Sequence, residues 1–302
     1  MRVFITGASG WIGSAVTDEL LANGHEVVGL ARSDASAAAL EAKGAGVQRG
    51  DLDDLAALRA AAEAADGVVH LGFKHDFSNF AASGRTERAV VEMFGETLAG
   101  SDRPLLLASG VAMPLGRPLT EDDPSHHVGP DAPRGGSEAL AMDFAGQGVR
   151  SIAVRFAPTV HGQGDQGFST TLAGIARSAG VSGYVGDGAN RWPAVHRLDA
   201  ANLVRLALEG APAGSIVHGV AEEGIATKAI AEALGRALGV PTQSIAPGDA
   251  QAHFGWIAAF WGADVPASSA ITRARFGWTP TRSTLLEDID AGYYSNPTPH
   301  NA

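Results

Sequence analysis

The stretch Val3-Phe-Ile-Thr-Gly7-Ala-Ser-Gly10-Trp-Ile-Gly13 decides the fold of this chain. Its first residues are apolar or β-branched and predict a buried strand. Three glycines then follow at intervals of three residues. Beyond them, apolar residues recur at helical spacing as far as Leu21, which predicts an amphipathic helix. The sequence therefore predicts a strand that turns through glycines directly into a helix.

A glycine turn between a strand and a helix is typical of a dinucleotide site. Without Cβ atoms the backbone N–H groups can approach a pyrophosphate, which then lies at the helix N-terminus. The spacing alone is weak evidence, because the chain contains 39 glycines, but the flanking strand and helix strengthen it. We predict that the turn binds a nicotinamide dinucleotide, the alternative being an empty tight turn. The predicted contacts are Gly7, Ser9, Gly10, Trp11, Ile12 and Gly13.

The end of the second predicted strand, residues 26–30, indicates which dinucleotide binds. NAD sites place a carboxylate there to bind the ribose 2′-hydroxyl, whereas NADP sites offer a cation. Here Arg32 and Ser33 follow the strand, and a guanidinium can bind a 2′-phosphate through two hydrogen bonds. We predict NADP(H) as the cofactor. The alternative is that Asp34 binds the ribose while Arg32 only covers surface.

Strand and helix signals alternate along the first half of the chain, with further apolar strands predicted at residues 47–48, 67–71, 104–108 and 151–155. Continuous apolar strands suit a parallel sheet that helices cover on both faces. The predicted class is therefore α/β, with a doubly wound parallel sheet of the Rossmann type.

The domain organisation is predicted from where this alternation weakens. Residues 1–165 form the predicted dinucleotide-binding domain, completed by about 190–220, where the stretch 215–219 returns as a further sheet strand. Residues 166–189 and 221–302 contain more glycine, proline and aromatic residues. They predict a smaller C-terminal lobe that binds the substrate.

Composition excludes several classes of function. A net charge of −11 gives no electrostatic reason to approach nucleic acid or an anionic membrane. The absence of cysteine excludes disulfides, thiolate metal sites and a cysteine nucleophile. No His or carboxylate cluster has metal-ligand spacing, so no metal is expected. With no signal peptide and no apolar run of about 20 residues, the expected location is the cytoplasm.

Further motifs follow the glycine turn along most of the chain. They are Gly50-Asp-Leu52, Val69-His-Leu71, Ser109, Arg155-Phe-Ala-Pro-Thr-Val-His-Gly162, Val195-His-Arg-Leu-Asp199 and Phe276-Gly-Trp-Thr-Pro280. Through these residues the chain resembles the extended short-chain dehydrogenase/reductases, the NAD-dependent epimerase/dehydratase family. The resemblance implies that the N-terminal sheet binds the cofactor and the C-terminal lobe binds the substrate, and it suggests a homodimer.

The resemblance also implies further cofactor contacts. Asp51 and Leu52 are expected near the adenine, although Asp51 could instead cap the next helix. The remaining expected contacts are Leu71, Gly72, Phe73, Ser109, Pro158, Thr159 and Val160.

The family's chemistry uses a Ser or Thr followed by a YxxxK pair, and this chain departs from that pattern. Ser109 fits the first role, but Arg134-Gly-Gly-Ser-Glu138 stands where Tyr-Gly-x-Ser-Lys is expected. A guanidinium stays protonated at neutral pH and cannot donate that proton. Glu138 brings a negative charge where the family uses a positive one. The chain therefore resembles atypical family members, and we expect Arg134 and Glu138 to form a helical ion pair that does not replace the Tyr–Lys pair.

Other residues are then needed for proton transfer and for substrate binding. Tyr184 and His161 are predicted to act beside Ser109, each with a structural role as the alternative. The predicted substrate contacts are His75, Trp192 and Trp256. The predicted function is NADP(H)-dependent reduction of a carbonyl or imine on a small, fairly apolar molecule. The alternatives are a nucleotide-sugar epimerase or dehydratase and a non-catalytic NADP-binding sensor.

Overall fold

The computed structural model describes residues 1–74, 79–111 and 113–295. Its strands, numbered in chain order, are β1 Arg2–Thr6, β2 Glu26–Ala31, β3 Gly46–Arg49, β4 Gly67–His70, β5 Pro104–Gly110, β6 Arg150–Phe156, β7 Thr159–His161, β8 Ser182–Val185, β9 Arg191–His196, β10 Ser215–Gly219, β11 Glu222–Ala226 and β12 Thr242–Ile245.

The helices are α1 Trp11–Ala22, α2 Asp34–Ala42, α3 Leu55–Glu63, α4 Phe80–Leu98, α5 Ser137–Asp143, α6 Phe168–Ala179, α7 Arg197–Gly210, α8 Thr227–Leu238, α9 Ala250–Phe254, α10 Ala258–Trp261, α11 Ala270–Phe276 and α12 Leu285–Asp290. None of the helices in the described part of the chain combines the length and apolar character needed to span a bilayer.

A seven-stranded sheet forms the centre of the molecule, in the order β10-β6-β5-β4-β1-β2-β3. Every pairing within it is parallel. Its central strands are apolar and completely buried, as in Val3, Phe4 and Ile5 of β1. The predicted α/β fold of the Rossmann type is confirmed. The strand predicted at residues 215–219 is β10, which extends the sheet beyond β6.

The order of the strands reverses between β1 and β4, so a crevice opens at the carboxyl ends of these two strands. Ligands of open α/β sheets bind at this kind of crevice. Gly7 follows β1 here and Leu71 follows β4, so the glycine turn and the end of the fourth strand meet at one edge of the sheet.

Beyond the central sheet, β11, β9 and β7 form a three-stranded sheet, and β12 pairs with β8. A second apolar core lies in this part of the chain, with Trp192, Phe254 and Trp261 among its buried side chains. The boundaries predicted for a separate substrate lobe remain a prediction.

Candidate active site

A cleft of about 2520 Å³ runs along the carboxyl edge of the central sheet. Almost all the predicted cofactor contacts line it: Gly7, Ser9, Gly10, Trp11, Ile12, Gly13, Arg32, Ser33, Asp51, Leu52, Leu71, Gly72, Phe73, Ser109, Pro158 and Val160. Thr159 is the exception, because its side chain is buried and does not line the cleft. The glycine turn and the strand ends that follow it therefore share one continuous space.

The three glycines of the turn have different reasons to be glycine. Gly7 has a φ of +70°, and a Cβ on it would lie 2.7 Å from the backbone nitrogen of Gly72. A Cβ on Gly13 would collide with the carbonyl oxygen of Gly7. Gly10 has an ordinary φ of −75°, and the only close atom to a Cβ there is the Gly7 oxygen at 3.1 Å. The fold thus requires Gly7 and Gly13, whereas Gly10 leaves open space in the cleft.

The N-terminus of α1 faces this space. Gly10 is the N-cap residue, no described side chain caps the helix, and its first turn contains no acidic residue. The first N–H groups of a helix and its macrodipole attract anions. The turn therefore fits a pyrophosphate, with the backbone of Gly10 and the start of α1 as the groups that would hold it.

Trp11 is fixed within the cleft by the second half of the chain. Its indole N–H donates to the carbonyl oxygen of Val160 at 2.7 Å. The guanidinium of Arg197 lies 4.3 Å from the centre of its ring. These contacts hold the start of α1 against β7 and α7.

The end of β2 presents a cation to the cleft. Arg32 and Ser33 line the cleft, whereas Asp34 does not. The Asp34 carboxylate is paired with Arg49 of β3, whose guanidinium also donates to the Ser33 carbonyl oxygen at 2.7 Å. Ser33 caps α2 by accepting from the backbone N–H of Ser36 at 3.2 Å. The Asp34 carboxylate is therefore bound to Arg49 and does not line the cleft.

Asp51 lines the cleft but does not cap α3, so the alternative role considered for it is wrong. The N-cap is Asp54, whose carboxylate accepts from the backbone N–H of Ala57 at 3.0 Å. Asp51 instead accepts from the backbone N–H of Asp53 at 2.7 Å.

The predicted ion pair between Arg134 and Glu138 is wrong. Arg134, Gly135 and Gly136 all have left-handed backbones, with φ of 54°, 63° and 62°. Helix α5 begins only at Ser137, so Arg134 and Glu138 are not on one helical face. A pair of glycines directly after Arg134 was the sequence signal for this break.

Arg134 binds a different carboxylate. Its Nη2 donates to Glu87 of α4 at 2.7 Å, and its guanidinium lies 4.6 Å from the centre of the Phe73 ring. Burial alone would raise the pKa of the Glu87 carboxyl, but His70 and Arg134 together hold that pKa below its ordinary range. The guanidinium is thus neutralised and stacked at the edge of the cleft.

A buried chain of hydrogen bonds connects this pair to the cofactor end of the cleft. The backbone N–H of Gly72 donates to the Thr6 hydroxyl at 3.1 Å, and Thr6 Oγ1 lies 2.6 Å from His70 Nδ1. His70 Nε2 lies 3.2 Å from the Glu87 carboxylate. Because the Glu87 carboxylate can only accept, His70 donates its Nε2 proton to it. Sequence reasoning missed His70 and Glu87, which are spaced 17 residues apart on a strand and a helix.

Glu138 lies behind Ser109. Ser109 and Arg155 are register partners on the adjacent strands β5 and β6. The Ser109 hydroxyl donates to Glu138 Oε2, while Arg155 donates to Glu138 Oε1 from Nη2 at 2.6 Å and from Nε at 3.1 Å. Arg155 is 1% exposed and Glu138 is 7% exposed, yet both border the cleft.

Tyr184 does not line this cleft, which gives no support to its predicted catalytic role. Its ring lies on β8, 5.8 Å from the Lys228 ammonium, and it is not among the residues that line the cleft. The phenol belongs to the side of the molecule where β8 pairs with β12.

His161 is also placed away from the cleft. It is fully buried, its Nδ1 lies 2.6 Å from Asp288 Oδ2, and its ring packs edge-on against His196. Burial alone would raise the pKa of the Asp288 carboxyl, but His161 and Ser283 hold it below its ordinary range. The histidine therefore attaches α12 to β7 and has no access to a reacting group.

Aromatic side chains form one wall of the cleft. The Phe168 ring lies 5.5 Å from Trp192, 5.8 Å from Trp256 and 6.1 Å from Phe260, measured between ring centres. Trp192 is buried, and its indole N–H donates to the Phe260 carbonyl oxygen at 3.1 Å. Trp256 and Phe260 are each 48% exposed. Trp192 and Trp256 thus lie where a substrate contact was predicted, whereas His75 lies outside the described residues.

The buried side chain of His218, on β10, lies next to Arg155. Its Nδ1 lies 2.7 Å from the Ser268 carbonyl oxygen, and its Nε2 lies 3.5 Å from Arg155 Nη1. Burial lowers the pKa of His218, and Arg155 acts in the same direction, although Glu121 opposes them.

The stability of the fold should consequently fall on acidification. A histidine with a lowered pKa in the folded state binds fewer protons than in the unfolded chain, where its pKa is about 6.5. The contribution of His218 to the free energy of unfolding is present above that pH and is lost as the pH falls. We expect the free energy of unfolding to decrease between about pH 7 and 5, by at most about 1.4 kcal/mol per pH unit for this group. Urea unfolding at several pH values measures it, and an equally steep dependence in His218→Gln would contradict the assignment.

No group of three or more His, Asp or Glu side chains within the described ranges is arranged to hold a metal ion.

Comparison with known proteins agrees with this architecture. Residues 3–218 match the model of the NAD dependent epimerase/dehydratase family. The uncharacterized protein C2A9.02 of Schizosaccharomyces pombe is 45% identical over 97% of this chain and 100% of its own length. A 4-hydroxy-2-methyl-3-oxo-4-farnesyl-3,4-dihydroquinoline-1-oxide ketoreductase of Stigmatella aurantiaca is 26% identical over 72% of this chain and 67% of its own.

Among solved structures, the dTDP-glucose 4,6-dehydratase DesIV of Streptomyces venezuelae, with NAD and TYD bound, has a TM-score of 0.74. It is 20% identical, and the match covers 97% of this chain and 96% of that one. At this identity the similarity establishes the fold alone.

Proposed function

Because the chain belongs to the NAD dependent epimerase/dehydratase family, whose members bind a nicotinamide cofactor, we propose that it is an NADP(H)-dependent oxidoreductase. It reduces the carbonyl or imine carbon of a small, fairly apolar molecule. The observation that carries this proposal is the cleft itself, in which the glycine turn, Ser109 and the aromatic wall of Phe168, Trp192, Trp256 and Phe260 share one space.

The reaction places few demands on the protein. A bound dihydronicotinamide would supply the hydride, so the chain's own residues have to orient the substrate and manage one proton. Ser109 is at the end of β5, next to the sheet edge where the dinucleotide would lie. A hydroxyl there can form a hydrogen bond with a carbonyl oxygen or an imine nitrogen. The aromatic wall excludes water and binds an apolar group.

The aromatic wall also favours this function over the processing of a nucleotide sugar. A hexose presents hydroxyl groups in several directions, and each one needs a hydrogen-bonding partner when it is buried. Indole and phenyl faces supply none. The ketoreductase relative from Stigmatella aurantiaca supports the choice, since the substrate named for it combines a ketone with an apolar farnesyl chain.

Two assays test the proposal: oxidation of NADPH with a panel of ketones and imines, and product analysis of UDP-sugars, because an epimerase or dehydratase regenerates its cofactor in each cycle and oxidises no NADPH overall. We expect oxidation of NADPH with apolar ketones or imines and no conversion of the UDP-sugars. Turnover confined to UDP-sugars would replace the proposal with a sugar epimerase or dehydratase. Tight NADPH binding without any turnover would indicate a non-catalytic sensor.

Cofactor preference gives a separate prediction. Arg32 lines the cleft, and the Asp34 carboxylate that could oppose a 2′-phosphate is paired with Arg49. We expect NADPH to bind at least about tenfold more tightly than NADH, which is about 1.4 kcal/mol. Arg32→Ala should remove most of that preference, because NADPH then loses its phosphate contact while NADH loses nothing. Titration of tryptophan fluorescence with each nucleotide measures both affinities, and equal affinities in the wild type would contradict the prediction.

A further inference from the structure

The carboxylate of Glu138 borders the cleft and accepts a hydrogen bond from the Ser109 hydroxyl. We propose that Glu138 exchanges the reacting proton with the substrate through the Ser109 hydroxyl, while Arg155 holds the carboxylate in position. This inference rests on the proposed function, and it reverses the expectation that Glu138 takes no part in proton transfer. It assigns Ser109 as the group that touches the substrate, and Glu138 and Arg155 as residues that act through it.

The direction of the hydrogen bonds follows from chemistry. A guanidinium only donates and a carboxylate only accepts. Arg155 Nη2 and Nε both bind Oε1 of Glu138, and Nε reaches Oε2 only at 3.2 Å. Oε2 is therefore free to accept the Ser109 hydroxyl proton. With its own proton directed at Glu138, Ser109 turns its oxygen lone pairs towards the cleft, where they can accept a proton from an alcohol or amine.

Burial limits the exchange of protons between Glu138 and bulk water. Glu138 is 7% exposed and Arg155 is 1% exposed, so bulk water has little access to the carboxylate. Glu138 borders the cleft beside Ser109, whose hydroxyl gives it a hydrogen-bonded route to a bound substrate. Arg155 is fixed in turn, since its Nη1 donates to the Asp123 carbonyl oxygen at 2.9 Å.

The proton balance of the reduction can be written completely. For reduction, Glu138 first takes up a proton from solvent, so that Ser109 accepts from its carboxyl group and donates to the substrate, the reverse of the hydrogen bond described above. A bound dihydronicotinamide would supply the hydride of the new C–H bond, and the π electrons of the carbonyl would then become a lone pair on its oxygen. That oxygen takes the Ser109 hydroxyl proton, and Ser109 takes the proton of Glu138. Glu138 ends as a carboxylate paired with Arg155, and the reverse sequence describes oxidation of the alcohol.

The relay predicts opposite pH dependences for the two directions. Reduction needs the protonated carboxyl and should slow as the pH rises, whereas oxidation needs the carboxylate and should slow as the pH falls. The charged groups that face Glu138 are Arg155 and, beyond it, His218 on β10. The pair of Glu87 with Arg134 lies on the other side of Ser137, whose hydroxyl lies 3.5 Å from Glu87.

Glu138→Gln tests the relay, because a glutamine oxygen can still accept from Ser109 but carries no proton to exchange. We expect kcat to fall by about 10²–10⁴-fold, with the affinity for NADPH unchanged and the opposed pH dependences of the two directions lost. The variant leaves the buried Arg155 without a carboxylate to balance its charge, which endangers folding. The double variant Glu138→Gln with Arg155→Met removes both charges and should show the same kinetic loss.

A second measurement needs no turnover. A hydroxyl proton held by a buried carboxylate exchanges slowly with water and gives a proton NMR signal downfield of ordinary hydroxyls. We expect such a signal in the wild-type chain, its loss in Ser109→Ala, and an upfield shift in Glu138→Gln, because an amide oxygen accepts less strongly than a carboxylate. Ser151→Ala is the matched control, because Ser151 is buried in β6, does not line the cleft, and its hydroxyl has no partner among the described residues.

The outcomes separate this inference from the proposed function. If no compound of the panel is turned over, the proposed function fails, and the NMR signal, its loss in Ser109→Ala and its shift in Glu138→Gln still decide whether Ser109 donates to Glu138. Wild-type kcat and an unchanged pH profile in a folded Glu138 variant would overturn the relay while leaving the oxidoreductase function intact. So would a Ser109 hydroxyl signal that Glu138→Gln does not move.

Discussion

Replacing Gly10 by Val is expected to abolish NADPH binding while the fold remains intact. Gly10 has a φ of −75° that any residue can adopt, so the substitution creates no backbone strain. A Cβ there meets the Gly7 oxygen at 3.1 Å and otherwise enters the cleft. The rest of the valine side chain would then occupy the space over the α1 N-terminus that a pyrophosphate needs. Fluorescence titration with NADPH and urea unfolding measure the two effects separately.

Gly13→Val is the matched control, since it makes the same chemical change three residues away. Its Cβ would collide with the Gly7 carbonyl oxygen, so α1 could not pack against the turn that follows β1. We expect this variant to lose stability, whereas Gly10→Val keeps the wild-type urea midpoint. Wild-type affinity for NADPH in Gly10→Val would remove the glycine turn from the site.

The central sheet was predictable because its sequence signals are local and agree with one another. Each apolar run is short, is bounded by glycine or polar residues, and alternates with a segment of helical periodicity. Even the strand Ser215–Gly219, which joins the edge of the sheet after a long excursion, was recognisable from its own residues.

It was harder to predict on which face of a strand a side chain lies, and β7 shows why. Successive residues of a strand point to opposite faces. Val160 lines the cleft, while its neighbours Thr159 and His161 are buried on the other face. The motif at residues 155–162 led us to predict Thr159 and Val160 as cofactor contacts and His161 as a catalytic residue. Only the pairing of β7 with β9 determines which face meets the cleft.

The proton-transfer groups were the least predictable part of the site. Ser109 was found from its place after an apolar strand, but its partner Glu138 is 29 residues away and Arg155 a further 17. Their proximity depends on the register between β5 and β6 and on the point where α5 begins. Neither follows from the periodicity of one segment. Arg134 and Glu138 were read as one helix because their spacing allowed it, whereas the intervening glycines break the helix.

Ser109→Ala is expected to be far more damaging to catalysis than Arg134→Ala. In the proposed relay the serine hydroxyl is the group that touches the substrate and exchanges its proton with Glu138, so its removal should lower kcat by about 10²–10⁴-fold. It removes no charge and leaves the pair of Glu138 with Arg155 in place, and the affinity for NADPH should be little changed. Steady-state NADPH kinetics with the best compound of the substrate panel measures the loss.

Arg134→Ala should lower kcat by less than about tenfold. The guanidinium stays protonated in the working pH range and cannot serve as the acid. It is also already bound to Glu87 and stacked on Phe73. Losing it leaves the buried Glu87 carboxylate with only His70 and Ser137 as partners, so we expect a loss of stability that is larger than the loss of rate. A thousandfold fall in kcat, in a folded variant that binds NADPH normally, would instead place Arg134 at the reacting atom. The relay through Ser109 would then be at most one of two contributions to proton transfer.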